Sequence, residues 1–206
     1  MSGTEALQRL RALATPLLTT ADIAAALGVT AGTANKTASR LASDGLIVHL
    51  ARGRWAIDEK ISPFALAEHL ASPYPAYISL QSALFDYGIL SQIPHVIYAV
   101  TLAKPRRWST PLGVVSLHQV SPDFFFGYEP GKDGVHMATP EKALVDVLYL
   151  GPSRSRLFAH LPEIELPRKL SRKAIREIIA RVRDPRRRRL VQSRWEHLTR
   201  VSSGRT

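Results

Sequence analysis

Two sets of side chains in this sequence have the chemistry to bind nucleic acid. The first lies in segment 30–43, where Ala34, Ala38 and Leu41 recur at i, i+4 and i+7, the spacing of one face of a helix. The opposite face carries Thr33, Asn35, Lys36, Ser39 and Arg40. Asparagine can pair with adenine, and lysine and arginine can bind guanine or phosphate. The pattern predicts a helix that reads bases in the major groove of DNA.

The second set is a group of cations near the end of the chain. It comprises Arg172, Lys173, Arg176, Arg186, Arg187, Arg188 and Arg189. The last four follow a helix start at Asp184-Pro185, and cations in a first turn oppose the helix dipole. Their presence there indicates a role outside helix stability, so we expect an anion-binding face. Three interpretations stay open: added contact with DNA, contact with RNA or an acidic surface, or a solvated exterior.

The charge of the chain is concentrated in this second region. The 206 residues contain 28 Lys and Arg against 17 Asp and Glu, a net charge of +11. Residues 151–206 hold 16 basic and 5 acidic side chains, whereas residues 1–58 hold 6 and 4. Such asymmetry favours a polyanionic partner. The segment that carries the predicted base-reading helix is nearly neutral, because the positive charge lies elsewhere.

The elements that position the first set follow the order of a winged helix-turn-helix. A leucine-spaced helix precedes a second helix, which we expect to begin at a Thr20 cap and to end at Gly28. Thr30 then caps the base-reading helix. Strands at 46–50 and 54–57, joined by a glycine turn, predict a hairpin with Arg52 and Arg54 at its tip, where they suit phosphate or minor-groove contact. The alternative is a winged helix that docks proteins and has no DNA affinity.

The remaining residues, 59–206, predict a second, mixed α/β domain, so the whole chain is expected to be α+β. Helices are expected from Ser62-Pro63 to residue 71, from a Ser79 cap to near Gly88, and from a Thr139 cap to about residue 150. Strands are expected at 95–102, 114–120, 124–128 and 135–138, with a loop over 127–134. Basic amphipathic helices at about 168–200 end the domain, one from Ser171 to about Arg183 and one from Asp184.

Two short stretches resemble a known family. Residues 77–84 read Tyr-Ile-Ser-Leu-Gln-Ser-Ala-Leu, followed by Gly88-Ile89-Leu90, and residues 138–146 read Ala-Thr-Pro-Glu-Lys-Ala-Leu-Val-Asp. Behind a winged helix, they resemble the AbiEi-type antitoxins of abortive-infection, type IV toxin–antitoxin systems, over roughly residues 1–150. The resemblance implies an autorepressor that binds promoter inverted repeats, with two protomers on the DNA. It also implies that the C-terminal portion counteracts a partner nucleotidyltransferase toxin.

The sequence gives no indication of an enzyme. The seven histidines form no pair at metal-binding spacing, and the absence of cysteine excludes thiolate chemistry and Cys-ligated zinc. Segment 127–132 departs from a phosphate-binding loop in length, and Pro130 and Asp133 stand at unsuitable positions. In the two family-like stretches, Ser79, Ser82, Glu141 and Asp146 are expected to be caps and packing partners.

We therefore expect no catalytic residue, metal or cofactor. With no membrane span and no signal peptide evident, the chain is expected to be cytoplasmic. The expected function is that of a DNA-binding autorepressor and antitoxin. The alternative is a winged-helix regulator whose second domain senses a ligand or protein and that has no toxin partner.

Overall fold

The computed structural model describes residues 2–58, 60–131, 134–151, 166–167 and 169–203, with side chains up to residue 200. In this part of the chain the fold is α+β, with eight α-helices and two sheets. The expected α+β class is therefore confirmed. Lys132 and Asp133 of the predicted loop lie outside the described residues.

The N-terminal unit contains three helices and a small antiparallel sheet. Its elements are α1 (Gly3–Arg11), β1 (Leu17–Thr19), α2 (Thr20–Leu27), α3 (Ala31–Ser43), β2 (Val48–Ala51) and β3 (Arg54–Ala56). The strand order is β1-β3-β2, so β3 pairs with a strand on each side. Strand β1 is not predicted from the sequence, because three residues carry too little alternation to be recognised.

Local capping explains where α2 and α3 begin and end. Thr19 caps α2: its hydroxyl accepts from the Asp22 N–H, and the Asp22 carboxylate accepts from the Thr19 N–H at 2.7 Å. The predicted cap at Thr20 is thus wrong by one residue. Gly28 ends the helix with φ +67°, a left-handed conformation that favours glycine. Thr30 caps α3 as predicted.

The second unit is a six-stranded mixed sheet with helices packed on it. Its elements are α4 (Ala65–Ala71), β4 (Ala76–Ile78), α5 (Leu80–Asp86), β5 (Ile97–Thr101), β6 (Arg106–Thr110), β7 (Gly113–Gln119), a 3₁₀ turn (Pro122–Phe124), β8 (Tyr128–Pro130), β9 (His136–Ala138), α6 (Pro140–Leu150), α7 (Arg172–Ala180) and α8 (Pro185–Ser203). The strand order is β6-β7-β5-β4-β9-β8. The β5–β7 and β4–β9 pairs are parallel, and the other pairs are antiparallel.

Three predictions for this unit are corrected by the structure. The expected strand at 124–128 is wrong: a 3₁₀ turn begins at Pro122, and Tyr128 opens the short strand β8 instead. Strands β4 and β6 are not predicted from the sequence. Helix α4 begins at Ala65 rather than at Ser62-Pro63, and α7 ends at Ala180 rather than near Arg183.

Two hydrophobic clusters form the cores of the two units. The N-terminal cluster lies between α1, α2, α3 and the small sheet, with Ala34, Ala38 and Leu41 of α3 fully buried in it. The larger cluster fills the second unit and also includes Leu50 and Ala56 from the N-terminal sheet. The two units therefore share an apolar contact. None of the helices within the described residues is both long and apolar enough to cross a membrane.

Candidate nucleic-acid interface

The outer face of α3 is exposed along its length. Its polar residues Thr33, Asn35, Lys36, Ser39 and Arg40 all lie in solvent. The Thr33 hydroxyl is within 3.1 Å of the Thr30 hydroxyl and so takes part in the cap. Among the described residues, Asn35, Lys36 and Arg40 make no side-chain hydrogen bond or ion pair. Three groups that can pair with bases or phosphates are thus left open on one helix face.

The β2–β3 hairpin separates the two arginines that the sequence predicts to act together. Arg52 lies exposed in the turn, where Gly53 takes φ +71°. Arg54 is half-buried, and its Nη2 donates to the Ser72 carbonyl oxygen at 2.6 Å. The expected position of Arg54 at the hairpin tip is therefore corrected: it lies at the start of β3 and joins the hairpin to the second unit.

The C-terminal cations also divide into two groups. Arg172, Lys173, Arg176, Arg186 and Arg189 are exposed. Their contacts are local: the Arg176 Nε donates to the Arg172 carbonyl at 3.2 Å, and Lys173 lies 3.9 Å from the Glu177 carboxylate. Exposed pairs of this kind contribute little stability. These five side chains are available to an anionic partner.

Arg187 and Arg188 are partly withdrawn from that surface. The Arg187 guanidinium lies 4.6 Å from the ring centroid of Tyr149, and its Nε is buried with no hydrogen-bond partner in the described structure. Arg188 is half-buried, with Nη1 3.4 Å from the Ala180 carbonyl oxygen. Successive helix residues are rotated by about 100°. The four consecutive arginines therefore cannot share one face, and the expected single basic face is corrected in this respect.

A groove of about 600 Å³ lies between α7 and α8 and collects part of the basic set. Arg172, Arg176 and Arg188 line it together with the largely buried Trp195 and with Glu196. The sequence predicts the cations but not the groove, because the groove depends on how two helices cross. Asp184 starts α8 as expected, since its carboxylate accepts from the Arg187 N–H at 2.7 Å.

The two family-like stretches meet in a buried polar network. Lys142 and Asp146, one turn apart on α6, are fully buried and form an ion pair. The other carboxylate oxygen of Asp146 accepts from the Tyr77 hydroxyl at 3.1 Å and from the Ser79 hydroxyl at 2.7 Å. Lys142 Nζ also donates to the Tyr77 hydroxyl oxygen at 2.9 Å. Ser79 is the N-cap residue of α5, as expected, but its hydroxyl binds Asp146 and makes no capping bond to the first turn of the helix.

The surroundings of this network are aromatic and closed. Lys142 Nζ lies 4.1 Å from the ring centroid of Phe124. Burial lowers the pKa of Lys142 and raises the pKa of Asp146, while their mutual attraction opposes both shifts. Burial, followed by the charge of Asp146, raises the pKa of the Tyr77 hydroxyl. Because every member is buried, the arrangement is that of a core ion pair and not of a site open to substrate.

The other two polar residues of the stretches also bind locally. Ser82 accepts from the Tyr98 N–H at 2.9 Å, which ties α5 to β5, and Glu141 accepts from the Ser171 N–H at 2.9 Å, which ties α6 to the start of α7. Both are packing partners, as predicted. No group of three or more His, Asp or Glu side chains suited to a metal ion occurs among the residues that the structure describes.

Comparison of the sequence with protein-family models and with curated proteins finds no match.

Proposed function

We propose that the N-terminal unit is a winged helix that binds double-stranded DNA, with α3 as the recognition helix. The observation that carries the proposal is the open face of α3, where Asn35, Lys36 and Arg40 are exposed and unpaired within the described structure. The fully buried Ala34, Ala38 and Leu41 hold the opposite face, so the polar side chains are presented on a fixed support. Arg52 adds a cation on the adjoining hairpin, as phosphate contact would require.

We further propose that the chain is an autorepressor and the antitoxin of a partner nucleotidyltransferase toxin, acting in the cytoplasm. The resemblance at residues 77–84 and 138–146 supports this, and the structure adds that the two stretches pack together as one unit. The exposed cations of α7 and α8 supply a second surface for an anion connected with the toxin or its target. Binding to inverted repeats would place two protomers on the DNA.

The DNA proposal is tested by gel shift with a duplex from the chain's own upstream region. The variant N35A/K36A/R40A is expected to lose binding, because it removes the base-reading groups and leaves the buried stripe intact. The control R11A/R107A removes two exposed positive charges away from α3 and is expected to bind within a few-fold of wild type. A triple variant that shifts the duplex as well as wild type would contradict the recognition-helix assignment.

The antitoxin proposal is tested by co-expression with the adjacent gene. If that gene encodes a nucleotidyltransferase, growth is expected to stop without this chain and to recover with it. The full-length variant N35A/K36A/R40A separates the two roles: recovery with this variant would place neutralisation outside the DNA-binding face. Absence of toxicity from every neighbouring gene would instead favour the second candidate, a winged-helix regulator that senses a ligand. A cleft between the two units, lined by Arg52, Arg54, Lys104 and Arg106, favours that candidate.

A further inference from the structure

A cleft of about 710 Å³ is lined by residues of the β2–β3 hairpin and of strand β6. The N-terminal unit contributes Arg52 and Arg54 to its lining, and the second unit contributes Tyr74, Lys104, Arg106 and Trp108. Small-molecule sites commonly lie between domains and have volumes of roughly 300–1,000 Å³. The position and size of this cleft therefore fit a ligand that touches both units.

All the charged side chains that line the cleft are cationic. Four cationic side chains line the cleft, and none of its lining residues is Asp or Glu. In the described part of the chain, none of the four makes an ion pair with a carboxylate. Arg54 is held in place by the Ser72 carbonyl, which leaves its positive charge uncompensated. An anion is the species that this lining would bind most favourably, and arginine is especially suited to phosphate.

The same cleft also offers planar apolar surface. Tyr74 is 53% exposed, which is high for an aromatic residue of its size. The Arg106 guanidinium carbon lies over Trp108, 3.7 Å from the centroid of the indole ring. This stacking places the Arg106 guanidinium on a flat aromatic surface in the lining of the cleft.

We propose that the cleft binds a nucleoside phosphate. Lys104, Arg106 and Arg52 would hold the phosphates, and the exposed ring of Tyr74 would stack on the base. Because the ligand contacts both units, its binding would fix the hairpin against β6 and alter the presentation of Arg52 to DNA. The site does not require that the chain be an antitoxin, and nucleotide binding itself is measured without DNA.

The test is isothermal titration of the full-length protein with ADP and GDP, with inorganic pyrophosphate as competitor. Wild type is expected to bind at least one nucleotide at 1:1 stoichiometry, with pyrophosphate competing. The variant K104Q/R106Q is expected to weaken binding by tenfold or more, and Y74A by several-fold. The matched control is R107Q: Arg107 neighbours Arg106 on β6 but does not line the cleft, because alternate strand residues face opposite sides.

Three results would overturn the proposal. The first is the absence of binding by both nucleotides at millimolar concentration. The second is an equal loss of nucleotide affinity in R107Q and in K104Q/R106Q, which would mean that the nucleotide is attracted by the general positive charge of the protein and not by a specific site. The third is a loss of duplex binding in K104Q/R106Q without any nucleotide binding by wild type, which would assign the cleft to the DNA backbone. Circular dichroism of each variant checks that it is folded.

Discussion

The buried ion pair of α6 makes a quantitative prediction about stability. In Asp146→Asn the side chain keeps its size, so no cavity forms, but Lys142 loses its counter-ion in the core. The new amide group must face either the Lys142 ammonium or the hydroxyls of Tyr77 and Ser79, which already donate to Asp146. Leaving one buried charge unpaired destabilises a protein by about 3–5 kcal/mol. For a chain of this size that corresponds to a melting temperature lower by roughly 6–20 °C.

The assay is urea unfolding followed by circular dichroism, applied to Asp146→Asn, Lys142→Met and the double variant. Since the two groups interact directly, the double variant is expected to be more stable than the sum of the single changes predicts, by about 2 kcal/mol. The matched control is Glu5→Gln, which breaks an exposed pair of the same i, i+4 spacing, 3.0 Å from Arg9. It is expected to destabilise by less than about 0.5 kcal/mol.

The reasoning would be refuted by a loss below about 1 kcal/mol for Asp146→Asn, the scale of an ordinary hydrogen bond. Such a result would mean that the proton resides on the carboxylate and that Lys142 is neutral, as burial favours for both groups. Strict additivity in the double variant would equally contradict direct coupling between the two side chains.

Three further predictions concern pH, backbone conformation and salt. Burial, and to a lesser extent the charge of Arg54, lowers the pKa of His69 from 6.5 to about 4, so the folded state favours the neutral imidazole. The stability that this group contributes should be full above pH 6.5 and should be lost as the pH falls from 6.5 to 4. In urea titrations, His69→Gln should therefore reduce the slope of the free energy of unfolding against pH in this range. Gly127→Ala should lower the free energy of unfolding by roughly 1–3 kcal/mol in urea titrations, because φ is +75° and the added Cβ would lie 3.1 Å from the buried Lys142 side chain. Gly134→Ala, with φ +72° and open space, should lower it less in the same assay. If the C-terminal cations contact DNA, R186Q/R189Q should reduce the slope of log affinity against log salt by about 1 per lost phosphate contact, and an unchanged slope would exclude DNA contact by these two cations.

The helix signals in the sequence are reliable where a cap and an apolar stripe coincide. Thr30, Thr139 and Ser171 each accept the expected backbone hydrogen bond at a helix start. These signals are local, because the cap and its partner are three residues apart. The outward face of α3 follows from the same periodicity, and its five predicted residues are all exposed.

The wrong predictions lie where distant contacts decide the structure. Strands β1 and β4 have three residues each and form only because neighbouring strands pair with them. The aromatic run after Pro122 has high strand propensity, yet it enters a 3₁₀ turn that buries Phe124. An i, i+4 lysine and aspartate on α6 are typical of a solvated helix face. Here tertiary packing buries that face, and no feature of the local sequence could have revealed it.

Part of the positive charge at the C-terminal end contacts the protein itself and is not available to a binding partner. Arg181 stacks 3.3 Å from the Phe126 ring centroid, Arg187 packs on Tyr149, and Arg194 Nη1 reaches the Leu148 carbonyl at the end of α6. These cations dock α7 and α8 onto the core through aromatic faces and a helix terminus. A guanidinium that packs on a ring or binds a carbonyl exposes fewer of its donors to a phosphate. The salt dependence of DNA binding should therefore be set by the exposed cations. Replacing Arg187 should reduce the free energy of unfolding by more than it reduces the free energy of DNA binding.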